Sequence, residues 1–93
     1  MTRDAHDVVR LRRDELAWEV VEEEVICLDL RTSKYLLVND SGTVLWPALV
    51  AGESHSKLVS LLSEEFEISQ AQARGDVDAF LDELEGRDLL DDQ

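Results

Sequence analysis

The sequence changes from a strand pattern to a helix pattern within residues 34–46, KYLLVNDSGTVLW. Its first five residues, 34–38, are mostly apolar and strand-like, and Asn-Asp-Ser-Gly follows at once, which is typical of a sharp turn. Beyond the turn, the apolar residues of 44–49 fall on one helical face, and Gly52 is a typical helix stop. The stretch therefore predicts a strand that turns directly into a helix.

The chain upstream of this stretch predicts a small antiparallel sheet. Residues 25–30 are apolar and β-branched, and a short polar connection joins them to 34–38, which predicts a hairpin. Residues 8–12 alternate loosely and indicate a first short strand. Residues 18–21 either extend that strand or form a separate one. The N-terminal part of the chain is therefore expected to form three strands.

Three helices are predicted downstream of the sheet. The first contains Pro47, which lacks an N–H, so this helix either begins near Val44 or is kinked. The second is capped by Ser54 or Ser56 and presents an apolar, core-facing stripe. That stripe consists of Leu58, Val59, Leu61, Leu62 and Phe66.

The third helix gives the clearest local signal in the chain. Ser69 and Gln72 fit a capping box, in which the Ser69 hydroxyl accepts a hydrogen bond from the third helical N–H and Gln72 reaches back. Gly86 is a typical stop, and the Leu89-Leu90 pair is expected to fold back onto the core. The core-facing stripe of this helix consists of Ala73, Val77, Phe80, Leu81 and Leu84.

Together these elements predict an α+β, winged-helix-like fold, with an N-terminal three-stranded antiparallel sheet followed by three helices. The length of 93 residues and the apolar fraction of 44 % suit a single domain over residues 1–93. The sequence has no run of the ~18 apolar residues that a membrane helix needs. Its charged N-terminus also lacks the apolar region of a signal peptide. We therefore expect a cytoplasmic protein without a membrane segment.

The net charge of −13 is unevenly placed along the chain. From Glu64 onward there are eleven acidic residues and two basic ones, Arg74 and Arg87. A duplex-binding domain needs a basic face to displace counterions from phosphates, so the sequence argues against nucleic acid as a partner. Most of these acids are expected to serve solubility.

Residues suited to catalysis or metal binding are sparse. Cys27 is the single cysteine and lies in an apolar strand, so we interpret it as a small buried hydrophobe. A catalytic cysteine needs a histidine base, and neither His6 nor His55 gives a recognisable triad or metal-ligand spacing with it. The sequence contains no Gly-rich phosphate loop and no nucleophile-elbow motif. It therefore predicts no enzyme, no metal site and no cofactor.

Four sequence features follow one another in a characteristic order over residues 25–90. The first is a strand that runs from Tyr to Asn at 35–39, and the second is Gly42 followed by a Leu-Trp pair at 45–46. A Leu-rich middle helix comes next, and then the segment 76–84, DVDAFLDEL, before a terminal Leu-Leu. This order resembles the PqqD-like proteins, the peptide-recognition elements of ribosomally made and modified peptides. A standalone chain of this size is most similar to the B1 proteins of lasso-peptide pathways.

The resemblance implies a non-catalytic domain that binds the leader segment of a precursor peptide. In the family, the leader adds itself as a strand in a groove between the third strand and the third helix, and lasso-pathway leaders commonly carry Tyr-x-x-Pro-x-Leu. The implied partners are a leader-removing cysteine protease and an ATP-dependent cyclase, or alternatively a radical-SAM enzyme of quinone-cofactor biosynthesis. The implied peptide-binding residues are Lys34, Tyr35, Leu36, Leu37, Val38, Arg74, Val77, Asp78, Phe80 and Leu81.

Some roles within this set stay open at the sequence level. The unpaired N–H and C=O groups of an edge strand suit recognition of an extended peptide by strand addition. Leu36 and Val38 point to the opposite side from Leu37, and the sequence leaves open which side is core. Tyr35 either lines the groove or caps the core. Arg74 either pairs with an acidic leader residue or relieves acidic crowding on the third helix, and the same two alternatives hold for the lysine that starts the strand.

Two departures from the family pattern concern local geometry. Asp88 stands where the family often has Gly, with Gly86 two residues earlier, and Pro47 is unusual in the first helix. The rival function is a winged-helix DNA-binding regulator, which would need a basic third helix where this chain has an acidic one. An adaptor that binds an unrelated protein through its edge strand is a third possibility.

Overall fold

The structure, a computed structural model, describes residues 6–12 and 14–91. Its elements in chain order are β1 Val8–Val9, β2 Leu16–Val21, β3 Glu24–Asp29, β4 Lys34–Asn39, α1 Ser41–Ala51, β5 Glu53–Ser54, α2 His55–Phe66 and α3 Gln70–Gly86. The predicted α+β fold of a three-stranded antiparallel sheet followed by three helices is confirmed. The expectations for the extreme N-terminus and for one domain over 1–93 include positions outside the described residues and stay predictions. In the described part of the chain, every helix is too short or too polar to cross a membrane.

The main sheet has the strand order β2-β3-β4, and both neighbouring pairs are antiparallel. The predicted hairpin is confirmed, because β3 pairs with β4 over the full length of both strands. Residues 18–21 belong to a separate strand, since β2 forms its own hairpin with β3. Within the described chain, β4 has a strand on one side only, so its other edge is free.

The strand predicted over residues 8–12 does not join this sheet, so that part of the prediction is wrong. The strand β1 covers two residues and pairs with β5, with Val9 buried. The Leu11 N–H donates to the C=O of Leu49 at 2.9 Å, and Leu11 also forms a bridge with Leu90. The apolar side chains of this segment are buried on the helical side of the core, which draws it away from the sheet.

The side of β4 that faces the helices carries Leu36 and Val38, and both are buried. Tyr35 and Leu37 point to the outer side of the sheet and are 68 % and 58 % exposed. Cys27, the cross-strand partner of Leu36, is buried on the inner side, as predicted. The helices complete this core with Leu45, Trp46, Leu49, Leu58, Val59, Leu62, Ala73, Val77, Leu81 and Leu84.

The helix α1 begins at Ser41, so the alternative of a start near Val44 is wrong. Asp40 is the N-cap residue and has a positive φ of 50°. Its C=O accepts a hydrogen bond from the Thr43 N–H at 3.1 Å, so helical hydrogen bonding starts directly after the strand. Pro47 lies inside the helix and is exposed.

The predicted serine caps of the other two helices are confirmed, but among the described residues no hydrogen bond runs from the Gln72 side chain back to Ser69, so the capping box is half formed. The Ser54 hydroxyl accepts the Lys57 N–H at 3.2 Å, and the Ser69 hydroxyl accepts the Gln72 N–H at 3.1 Å. The predicted stripe of α2 is confirmed for Leu58, Val59 and Leu62, which are buried in the core. It is wrong for Leu61, which is partly buried outside the core cluster, and for Phe66, which ends the helix and is 42 % exposed.

After α3 the chain folds back onto the core as predicted, with Leu89 buried and Leu90 in a β-bridge. Asp88 has a φ of 59°, in the left-handed region that glycine adopts most easily. Its carboxylate pairs with Arg31 at 3.1 Å, and its C=O accepts from Arg12 Nε at 3.0 Å. At this departure from the family pattern, Asp88 adopts a backbone conformation that glycine favours and adds an ion pair with Arg31.

Candidate functional site

A groove of about 390 Å³ lies between β4 and α3. We call it the β4–α3 groove, and it is open to the surface. Its lining residues are Leu36, Leu37, Val38, Ser41, Gly42, Asp76, Ala79, Phe80 and Glu83.

The strand side of the groove offers main-chain hydrogen-bonding groups. In an antiparallel pair, alternate residues direct their N–H and C=O groups toward the partner strand, and the rest direct them outward. Because β3 is the sole strand beside β4 in the described sheet, the outward groups of residues 36–38 face the groove. An extended chain placed there can form a further antiparallel or parallel ladder.

The floor of the groove depends on the absence of a side chain at Gly42. A Cβ at this position would lie 2.6 Å from Val38 Cγ1 and 3.0 Å from Phe80 Cε1. Both distances are shorter than ordinary van der Waals contact, so glycine allows α1 to approach β4 and α3 this closely. Phe80 is half-buried and packs on the core while one side of its ring lines the groove.

The helix side of the groove is one face of α3. Asp76, Ala79, Phe80 and Glu83 follow the i, i+3, i+4, i+7 spacing of neighbours on a helical surface. The core-facing stripe of the same helix lies beside this face. One stripe of helix α3 therefore packs against the core, and the neighbouring stripe lines the groove.

The charged groups at the groove are acidic. Asp76 is exposed and has no hydrogen-bond or ion-pair partner among the described residues. Glu83 pairs with Arg87 at 3.4 Å, and both side chains are largely exposed. None of the described lining residues is basic. The groove thus combines an apolar floor with an acidic helical rim.

Four of the predicted peptide-binding residues line the groove, namely Leu36, Leu37, Val38 and Phe80. Val77 and Leu81 are fully buried in the core and support the groove from beneath. Tyr35 lies on the outer side of the sheet, so neither of its two suggested roles describes its position. Lys34 is exposed at the start of β4 and is not part of the lining.

Two predicted residues of α3 lie away from the groove. The Asp78 carboxylate contacts His55 Nε2 on α2 at 2.7 Å. Arg74 precedes the groove residue Asp76 by two positions and Phe80 by six, which places it on the far side of a helix with 3.6 residues per turn. It is exposed there. The structure therefore gives Arg74 no contact with the groove.

Sequence reasoning missed five lining residues, which are Ser41, Gly42, Asp76, Ala79 and Glu83. The signal for Asp76 and Glu83 was present, because they lie four residues before and three residues after Phe80 along α3. The apolar periodicity of α3 indicates its core stripe and gives no sign of the polar neighbours of Phe80. Gly42 belongs to the pattern that carries the family resemblance, but it has no side chain and is absent from the predicted peptide-binding residues.

Neither Cys27 nor a histidine of the described residues is among the groove-lining residues. Cys27 is 1 % exposed, and its burial, together with the nearby Asp29 charge, raises the pKa of its thiol despite the opposing charge of Arg12. No group of three or more His, Cys, Asp or Glu side chains among the described residues is arranged to hold a metal ion. The chemistry that the groove itself offers is binding, through main-chain groups, apolar surface and two carboxylates.

The family described as coenzyme PQQ synthesis protein D (PqqD) matches residues 24–90, which is most of the chain. Comparison with curated proteins gives no match.

Two solved structures share this fold. The first, TbiB1 in complex with the TbiA(beta) leader peptide, has a TM-score of 0.82 and 23 % identity, and the match covers 90 % of this chain and 96 % of that one. The second, a lasso peptide synthetase B1 complexed with the leader peptide, has a TM-score of 0.78 and 24 % identity, with 90 % and 98 % covered. At these identities the likeness establishes the fold.

Proposed function

The chain belongs to the PqqD family, and on that premise we propose that it is a non-catalytic domain that binds the leader segment of a ribosomally made precursor peptide. The leader adds as an extended strand to the free edge of β4 and lies in the β4–α3 groove. The domain then presents the leader to the enzymes that process the precursor in lasso-peptide biosynthesis.

The observation that carries this proposal is the free edge of β4 beside a groove of about 390 Å³. A free strand edge is a liability in a protein that binds nothing, because it invites pairing with other chains. Here the edge lies next to a concave surface with an apolar floor formed by Val38, Gly42 and Phe80. Backbone hydrogen bonds supply sequence-tolerant affinity, and the apolar floor selects an anchor side chain.

The contacts that we propose differ in part from those expected from the sequence. Leu36, Leu37, Val38 and Phe80 stay in the binding surface, and the remaining lining residues of the groove join them. Val77 and Leu81 act as core support. Arg74 has no part in binding, because it is on the opposite side of α3.

The proposed recipients of the leader are a leader-removing cysteine protease and an ATP-dependent cyclase in the cytoplasm. Support comes from the two similar structures, which are B1 proteins in complex with leader peptides. The second candidate is a radical-SAM enzyme, and the family description, coenzyme PQQ synthesis, favours it. Co-purification of the tagged chain with the enzymes encoded beside its gene separates the two candidates.

A titration of the ¹⁵N-labelled protein tests the binding function. The ligands are synthetic leader peptides encoded beside the gene, and a random DNA duplex is the control. We expect saturable leader binding, with NMR shift changes concentrated at residues 36–38, Gly42, Ala79 and Phe80. Absence of leader binding, or binding to the duplex in its place, would overturn the proposal and favour a winged-helix regulator.

A further inference from the structure

The β4–α3 groove carries a charge pattern that an apolar peptide alone does not explain. Asp76 and Glu83 line its helical side at two ends, with Ala79 and Phe80 between them. Asp76 has no described partner, and the exposed Arg87 partner of Glu83 leaves that carboxylate accessible to a ligand. Neither carboxylate is needed for the packing of the core, since both are exposed.

The spacing of these carboxylates lies between the separations of side chains two and four residues apart in an extended peptide. Asp76 and Glu83 are seven residues apart, which is about 10.5 Å along a helix axis. In a strand, side chains on one face recur every second residue, about 6.8 Å apart, so positions −2 and +2 around an anchor are about 13.6 Å apart. Long Lys or Arg side chains readily cover the small difference. An anchor residue against Phe80 would therefore have one carboxylate near each flanking position on the same face.

We propose that the groove selects peptides in which an apolar anchor is flanked by Lys or Arg two positions away, on one or both sides. The anchor contacts the floor at Gly42 and Phe80, and the flanking cations pair with Asp76 and Glu83. This specificity rests on the proposed function and adds to it the charge and spacing of the leader residues that are recognised.

The net charge of −13 is the competing explanation, because any strongly acidic protein attracts cationic peptides. A matched pair of double variants separates the local effect from the global one. Asp76→Asn with Glu83→Gln removes two charges from the groove, and Glu64→Gln with Glu65→Gln removes two charges from the exposed surface of α2. The two variants have the same net charge and keep nearly the same side-chain shapes.

The experiment selects binders from a phage-displayed library of random twelve-residue peptides against the wild type and both double variants. The strongest peptide is then made with each flanking Lys or Arg replaced by norleucine, and its affinity is measured by fluorescence anisotropy. Exposed ion pairs contribute little individually, so we expect the replacements together to weaken binding about threefold to tenfold. That loss should occur with the wild type and the α2 variant and disappear with the groove variant.

The outcomes distinguish this inference from the function on which it rests. Enrichment of Lys or Arg two positions from an apolar anchor, lost with the groove variant alone, supports the inference. An equal basic preference in all three proteins, or none, overturns it, while NMR shifts at Leu36–Val38 still support peptide binding. If no selected peptide shifts the groove signals, the inference is overturned, and the leader titration alone then decides the proposed function.

Discussion

At the scale of single residues, Gly42 allows close packing at the floor of the groove. It occupies the second position of α1, where a Cβ would lie 2.6 Å from Val38 Cγ1 and 3.0 Å from Phe80 Cε1. Gly75 in α3 offers the opposite environment, because a Cβ there would meet nothing within 4 Å. The same residue type therefore has a packing role at one position and none at the other.

Gly42→Ala and Gly75→Ala should change stability in opposite directions. The Val38 side chain is β-branched and fixed on a strand, so the Gly42 variant must shift α1 or push Phe80 toward the groove, at a cost of about 1–3 kcal/mol. The Gly75 variant should gain up to about 1 kcal/mol from the better helix propensity of alanine. Urea denaturation of both variants measures these changes. Equal stabilisation of the two would contradict the close packing described at Gly42.

At the scale of elements, α3 packs against the core with one face and lines the groove with the adjacent face. The strand β4 packs against the core with its inner side and borders the groove with its free edge. Ala79 lies on the groove face of α3 between the two carboxylates. Ala71 is also exposed on α3, but it is five residues before Asp76 and nine before Phe80, which places it about 140° and 180° around the helix from these two lining residues. The two alanines provide a matched test of which face binds.

Ala79→Trp should fill part of the groove and weaken leader binding at least about tenfold, or about 1.4 kcal/mol. Ala71→Trp should leave binding unchanged. Neither variant should alter the free energy of unfolding by more than about 0.5 kcal/mol, because both positions are exposed. Isothermal titration with the leader peptide measures the affinities. Full-strength binding by a folded Ala79→Trp variant would place the peptide elsewhere.

At the scale of the whole molecule, a charged cluster around Asp29 joins distant parts of the chain. Asp29 is buried at the end of β3, and its carboxylate lies 3.4 Å from Arg12 and 3.5 Å from Arg31. Arg31 also pairs with Asp88 after α3. The cluster therefore links the N-terminal segment, the β3–β4 loop and the C-terminal turn.

This cluster should make stability depend on pH in the acidic range. Burial alone raises the pKa of Asp29, but hydrogen bonds from the Arg31 N–H and guanidinium group, with the charges of Arg31 and Arg12, outweigh it and hold the pKa below the usual 3.8. Because the folded-state pKa is below the unfolded one, the stabilisation is complete above the unfolded value and is lost as pH falls through the folded value.

Asp29→Asn should consequently be less stable than the wild type at neutral pH, and the difference should shrink in acid. Urea denaturation between about pH 7 and pH 2 measures both effects. Asp76→Asn is the control, since Asp76 is exposed and has no described partner. A constant difference between Asp29→Asn and the wild type across this range would show that the Asp29 charge does not stabilise the fold.

Local sequence determined most of the secondary structure. The caps at Ser54 and Ser69 were predictable because a cap depends on residues within one turn of the helix start. The β3–β4 hairpin and the stripe of α3 were predictable from apolar periodicity. The order of these elements also carried the resemblance to the PqqD family, which the match over residues 24–90 confirms.

The tertiary structure determined which side of each element faces the core and which side faces the groove or the solvent. The burial of Leu36 and Val38 and the exposure of Tyr35 depend on where the helices pack, and strand alternation alone is symmetric between the two sides. The pairing of β1 with β5 joins segments more than forty residues apart, so no local pattern encodes it. The groove is likewise a gap between β4 and α3, and its acidic rim exists because packing of the core orients α3. A local sequence pattern determines the period of an element, whereas the side that faces the groove is determined by contacts between residues that are far apart in the sequence.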